Sequence, residues 1–155
     1  MTLRNWLWWL IVSALGLTLE CFVPGIDSLL PLLFVALEEA RLVQICVMTG
    51  IYVLLHEGLG TLAFGGVLIW YLPVILVFQL ARRVFSTRSA AFALAVCGAA
   101  GLSHYGVITV FCSLQDLVFD HRMIFIESII QIPVAMLAWN IARWTRRGIS
   151  HETAS

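Results

Sequence analysis

Apolar and polar positions in this chain fall into blocks. Apolar runs at 6–22, 27–37, 42–56, 61–79, 90–112 and 124–144 are separated by short polar gaps. Lipid cannot satisfy exposed N–H and C=O groups, so each run must close its own backbone hydrogen bonds as a helix. A spanning helix needs about 20 residues and tolerates about 17 at the short end. The run at 27–37, which contains Pro31, is therefore short for a crossing. The two runs within Leu42–Gln79 are joined by Leu55-His56-Glu57-Gly58-Leu59-Gly60. That pattern predicts a tight helical hairpin whose turn carries His56 and Glu57 to a membrane interface. Pro133 predicts a kink midway along the sixth helix. Trp6, Trp8 and Trp9 predict an interfacial belt at the start of the first. The fold class is all-α: a polytopic bundle of six transmembrane helices, the second short.

Composition agrees. The chain is 61% apolar with a mean hydropathy of +0.98, against about 45–50% apolar in soluble domains. One integral membrane domain is expected over 1–155, ending in a polar tail at 145–155. The start of the chain does not read as a cleaved signal, because no A-x-A site follows its apolar stretch.

The charges sum to zero and are carried on the basic side by nine arginines, which gives no footprint for nucleic acid. Short loops rich in arginine face the cytoplasm. With six crossings and both termini cytoplasmic, Arg4, Arg41, Arg82, Arg83, Arg88, Arg143, Arg146 and Arg147 all lie inside, and only Arg122 lies outside. A re-entrant second run would put Arg82–Arg88 and the C-terminal arginines opposite Arg4. In the six-crossing topology an outer polar rim gathers Glu20, Asp27, His56, Glu57 and Glu127, with Asp116, Asp120 and His121. Ionisable residues at such depth mark functional sites by default, although carboxylates near an interface often only snorkel. The inner arginines read as topology signals and anionic-lipid contacts.

Small residues predict where helices pack. Ala91, Ala95, Ala99 and Ser103 recur every four positions, flanked by Gly98 and Gly101, and Gly65-Gly66 opens the fourth run. Such faces let helix backbones approach closely in lipid.

Candidate chemistry is sparse. His56 and His104 are the minimum for a bis-histidine haem or a quinone site, against the blander reading that each bonds a carboxylate or a carbonyl. A divalent metal would draw on His56, Glu57 and one of Glu20, Glu127 or Asp120. Cys21, Cys46, Cys97 and Cys112 have no metal-ligand spacing. Cys46 and Cys97 read as packing residues, and a Cys21–Cys112 disulfide is the weaker alternative to two free thiols. No nucleophile elbow, phosphate loop or dinucleotide fingerprint is present. The sequence reads as non-enzymatic and needs no cofactor.

The segment from Pro24 to Phe85 resembles the rod shape-determining protein MreD family. The likeness lies in Pro24 with Asp27-Ser28-Leu29-Leu30, in Glu38-Glu39-Ala40-Arg41 with Gly50, and in Leu54-Leu55-His56-Glu57-Gly58-Leu59-Gly60. Chain length, the Arg82–Arg88 loop and a basic C-terminal end also agree. Where that family tends to place an aspartate closing the third helix, this chain has His56-Glu57. The resemblance implies a six-helix bundle of the bacterial inner membrane, similar in fold to the S-components of vitamin transporters. It implies a scaffold role beside an MreC-like single-span protein and cell-wall synthases. A partner helix would then seat on the small-residue faces. A small-molecule-binding subunit of the S-component type is the alternative it leaves open.

Overall fold

The computed structural model describes residues 3–23, 25–58, 65–116 and 120–152, the side chains of 147–152 excepted. Among these residues the chain is six helices: α1 (Leu3–Phe22), α2 (Leu30–Glu39), α3 (Leu42–Gly58), α4 (Gly66–Val84), α5 (Ala90–Leu114) and α6 (His121–Glu152). The all-α, six-helix reading is what the structure shows. Four of these, α1, α4, α5 and the 121–146 stretch of α6, are long and apolar enough to cross a membrane. Their large apolar side chains point outward: Leu10, Leu15, Leu72, Leu76, Leu94 and Leu137 are all exposed. Such faces are stable only against lipid, and the chain is a membrane bundle.

The organising element is α2, not the α3–α4 hairpin. Every residue from Leu30 to Leu37 is buried, as expected of a helix that is apolar all round. Helices α3, α4 and α6 pack against it. α2 starts at Leu30 rather than at residue 27 because the Asp27 carboxylate accepts the N–H groups of Leu29 and Leu30 at 2.7 and 2.9 Å. Those are among the donors a helix start leaves without partners, and Pro31 in the first turn lacks one to satisfy. The helix ends at Glu39, followed by Ala40 in the left-handed region (φ 53°). Around its middle, Phe34, Phe78, Phe92 and Trp139 form one aromatic cluster, with centroids 4.9 Å apart for Phe34–Trp139 and 5.2 Å for Phe78–Phe92.

The other boundaries shift in ways the contacts explain. α4 begins at Gly66 and runs on to Val84, past the expected end at 79. α6 continues through the expected polar tail as helix to Glu152, and both Pro73 and Pro133 sit inside continuous helices. The interfacial belt expected of Trp6, Trp8 and Trp9 is not what the structure shows. Only Trp6 faces outward, whereas Trp8 and Trp9 are buried. The Arg146 guanidinium lies 4.9 and 5.5 Å from their ring centroids, so the two indoles face a cation inside the bundle instead of headgroups.

The close packing of α5 is also one step off the expected register. Its buried residues are Phe92, Val96, Cys97, Ala100, Gly101 and His104. Ala91 is exposed, and Ala95, Ala99 and Ser103 are half-buried. The tight crossing is at Gly101, where a Cβ would come within 2.6 Å of the Ser128 carbonyl oxygen on α6. Gly98 has open space around it. Gly66 is buried within the bundle, and Gly65 precedes it in the left-handed region at φ 90°.

Candidate functional site

Two polar layers hold α2 at its ends. At the C-terminal end, Glu38 takes a two-nitrogen clamp from Arg143, whose Nε donates at 3.1 Å. Beside it, Arg146 pairs with Glu39 and donates to Asn5 of α1. Gln44 of α3 donates to Glu39 at 2.8 Å, and Arg82 of α4 caps the Leu37 carbonyl. The beginning of α1 and the later turns of α6 therefore share one end of the bundle. Arg143 and Arg146, expected to be lipid contacts, are committed to this chain's own carboxylates.

The opposite layer is a node of buried groups. Asp27, just before α2, is 4% exposed. Its Oδ1 lies 3.3 Å from His56 Nε2 on α3, and its Oδ2 accepts the Tyr71 hydroxyl of α4 at 2.7 Å. Glu20 of α1 comes within 3.6 Å of the same His56 nitrogen, and accepts the Ser28 N–H at 2.7 Å. Gln131 of α6 is fully buried. Its Oε1 accepts the Asp27 N–H and its Nε2 donates to the Asp27 carbonyl, at 3.1 and 3.0 Å. One side-chain amide thus satisfies both backbone groups of a link that forms no helix, which is what non-helical backbone at membrane depth requires.

Residue counts along three helices set the separation of the two layers. From Gln131 to Arg143 on α6 and from His56 to Gln44 on α3 the rise is about 18 Å, and from Tyr71 to Arg82 on α4 about 17 Å, at about 1.5 Å per residue. A hydrocarbon core is about 30 Å thick, so the two layers stand closer together than its two faces. α1 and α3 end within a turn of the node, while α5 and α6 run on past it.

The expected rim divides accordingly. Glu20, Asp27 and His56 are brought together. Glu57 is not with them: it accepts the Gly65 N–H at 2.7 Å and so caps the start of α4. Glu127 lies against Gly25, whose φ of 89° and lack of a Cβ leave room for its carboxyl group. Asp116, Asp120 and His121 are exposed. The metal set expected from sequence, built on His56 with Glu57, is corrected: the carboxylates beside His56 are Glu20 and Asp27.

His104 belongs to a different neighbourhood. The Ser128 hydroxyl gives its proton to the Ile124 carbonyl, so the His104 Nδ1 donates to it, at 3.1 Å. The His104 ring packs on Trp70 while His56 packs on Tyr71. These are successive residues of α4 and project about 100° apart. Each histidine is bonded where it stands, His56 to Asp27 and His104 to Ser128. Cys21 and Cys112 are free thiols, as are buried Cys97 and exposed Cys46.

Tyr71 and Gln131 are the residues the sequence did not signal. Each is a polar group flanked by apolar residues within a helix long enough to cross a membrane. Gln131 falls three residues after Ser128, on the same inward face of α6, and that spacing is the signal that could have found it; Tyr71 has no such partner in the sequence of α4. Compared with protein-family models, with curated proteins and with solved structures, the chain matches none of them.

Proposed function

We propose that this chain is a non-enzymatic scaffold of the bacterial inner membrane, MreD-like, with both termini cytoplasmic. It seats the transmembrane helix of an MreC-like single-span partner in the cell-wall elongation machinery, alongside cell-wall synthases. The observation that carries this reading is the meeting of the two segments on which the resemblance rests. Asp27 and His56 belong to separate motifs and stand 3.3 Å apart in one buried node. A histidine replacing the family's aspartate makes physical sense there, because it faces a carboxylate. Glu20, Asp27 and His56 at one end of α2, and Glu38, Glu39, Arg143 and Arg146 at the other, are held by groups of this chain, which suits a rigid packing unit.

The partner's helix would lie on the outward stripe of α5. There Ala91, Ala95, Ala99 and Ser103 leave a shallow face, and Gly98 and Gly106 have nothing within 4 Å. Small residues of this kind are what lets two membrane helices approach closely. Ala99→Leu tests it directly: co-purification of an MreC-like protein falls at least tenfold while the thermal melt of the chain in micelles stays unchanged. Undiminished recovery of that partner sinks the interface. Gly66→Leu is the contrasting variant, because Gly66 is buried in this chain's own packing, and it lowers the melt with or without a partner.

A second reading, a small-molecule-binding subunit of S-component type, is favoured by the recessed node. It predicts a low-molecular-weight ligand recovered with the purified chain and an associated ATPase module.

A further inference from the structure

Charge does not balance at the node. Glu20 and Asp27 bring two carboxylates, and His56 offers at most one positive charge. The arginines paired with carboxylates in the described structure, Arg143 and Arg146, stand at the opposite layer. Two buried anions at this depth need a cation or protons to compensate them.

The geometry has a second property that is independent of charge. His56 Nε2, a carboxylate oxygen of Asp27 and one of Glu20 lie within 4.8 Å of one another, the one such group of three among the described residues. The separations from His56 Nε2 are 3.3 Å to Asp27 and 3.6 Å to Glu20. Tetrahedral metal–ligand bonds of about 2.0–2.2 Å place neighbouring ligand atoms about 3.3–3.6 Å apart. The 3.3 Å contact is long for a hydrogen bond to a charged group, which favours about 2.7–2.9 Å, and it suits two ligands sharing one ion.

The surroundings are those of a metal site. Ligating carboxylates are usually held by hydrogen bonds from further out. Here the Tyr71 hydroxyl holds Asp27 Oδ2, the Leu29 and Leu30 N–H groups hold Oδ1, and the Ser28 N–H holds Glu20. The Glu20 side chain is 12% exposed, so the site is not wholly closed by this chain's own side chains.

We infer that Glu20, Asp27 and His56 form a binding site for one divalent cation of the zinc class, with the fourth position left to water. An imidazole beside two carboxylates selects this class over magnesium or calcium, which take oxygen ligands. The inference does not rest on the scaffold reading: a scaffold with or without a partner can hold the ion.

The test uses the full chain in detergent micelles, treated with chelator and then titrated with Co²⁺. The expected result is a single equivalent giving the visible absorption of a four-coordinate ion with oxygen and nitrogen ligands, and a raised melting temperature. Tyr71→Phe, which removes only an outer hydrogen bond, weakens binding about 10–100-fold. His56→Gln and Glu20→Gln abolish it, and His104→Gln leaves it unchanged. An intense thiolate charge-transfer band would assign the ion to Cys21 or Cys46 and overturn the site. So would a featureless titration of the wild-type chain, or binding in Tyr71→Phe as tight as wild type. These readings do not depend on how well the His56 or Glu20 variants fold.

Discussion

The two ends of α2 solve the same problem with opposite results. Both must fix a short, wholly buried helix to its neighbours, and both use acidic residues to do it. At the C-terminal end two glutamates each pair with an arginine, so neither carboxylate lacks a cation. At the N-terminal end two carboxylates meet one histidine, and backbone N–H groups, a tyrosine and a glutamine complete the site. The first arrangement is self-sufficient. The second is well hydrogen-bonded but sets two carboxylates against a single imidazole, which is why it, and not the arginine layer, is the place to look for a ligand.

Asp27→Ala has the largest expected effect. It removes the cap of α2, orphans the Tyr71 hydroxyl and leaves His56 beside Glu20 alone. Breaking one member of a buried, bonded charged group costs about 3–5 kcal/mol, and the chain should fail to yield a cooperative unfolding transition in micelles. Asp27→Asn sharpens the point, because asparagine caps a helix nearly as well as aspartate but brings no charge. If capping dominates, the asparagine chain keeps most of its stability. If charge pairing to His56 dominates, it falls nearly as far as the alanine chain.

At the other end, a double-mutant cycle on Glu38→Gln and Arg143→Leu isolates one pair. The side chains are 19% and 17% exposed, between the surface pairs worth about 0.2–1 kcal/mol and the buried ones that cost several when broken. A coupling of about 1–2 kcal/mol is expected from denaturant titrations. A coupling as large as the loss in Asp27→Ala would erase the distinction between the two ends.

How much of this was legible in the sequence depends on the kind of residue. Six helices and their order could be read because lipid forces apolar runs into one conformation. The start of α2 at Leu30 could not, because it is set by the Asp27 carboxylate, a tertiary commitment and not a propensity. The hydropathy pattern puts Glu20, Asp27 and His56 on one rim, yet sequence adjacency groups His56 with Glu57. Adjacent helical residues point apart, and the partners that matter are seven and twenty-nine residues from Asp27. The small-residue pattern of α5 was visible, but Gly101 and Ala99 are indistinguishable by composition. Only the course of α6 decides that Gly101 meets the Ser128 carbonyl while Ala99 stays at the half-exposed edge.

The smallest effect is a response to salt, and it separates the two ends without any change to the node. Exposed charges more than a Debye length apart are screened, and that length shortens from about 10 Å at 0.1 M to about 3 Å at 1 M. The arginine layer reaches the bundle's end, where ions can approach, whereas Asp27 lies some 17–18 Å further in by the helix rise of about 1.5 Å per residue. Moving from about 0.1 to 1 M sodium chloride should therefore cost the wild-type chain a few tenths of a kcal/mol, all of it from the arginine layer. The Glu38→Gln/Arg143→Leu chain should lose about half of that response, keeping the Arg146–Glu39 share, and Asp27→Asn should retain the whole of it. A salt response that instead disappears with Asp27→Asn would place the node in contact with bulk ions. Mobile ions would then reach the Asp27 carboxylate and compensate its charge, and a bound cation would not be needed there.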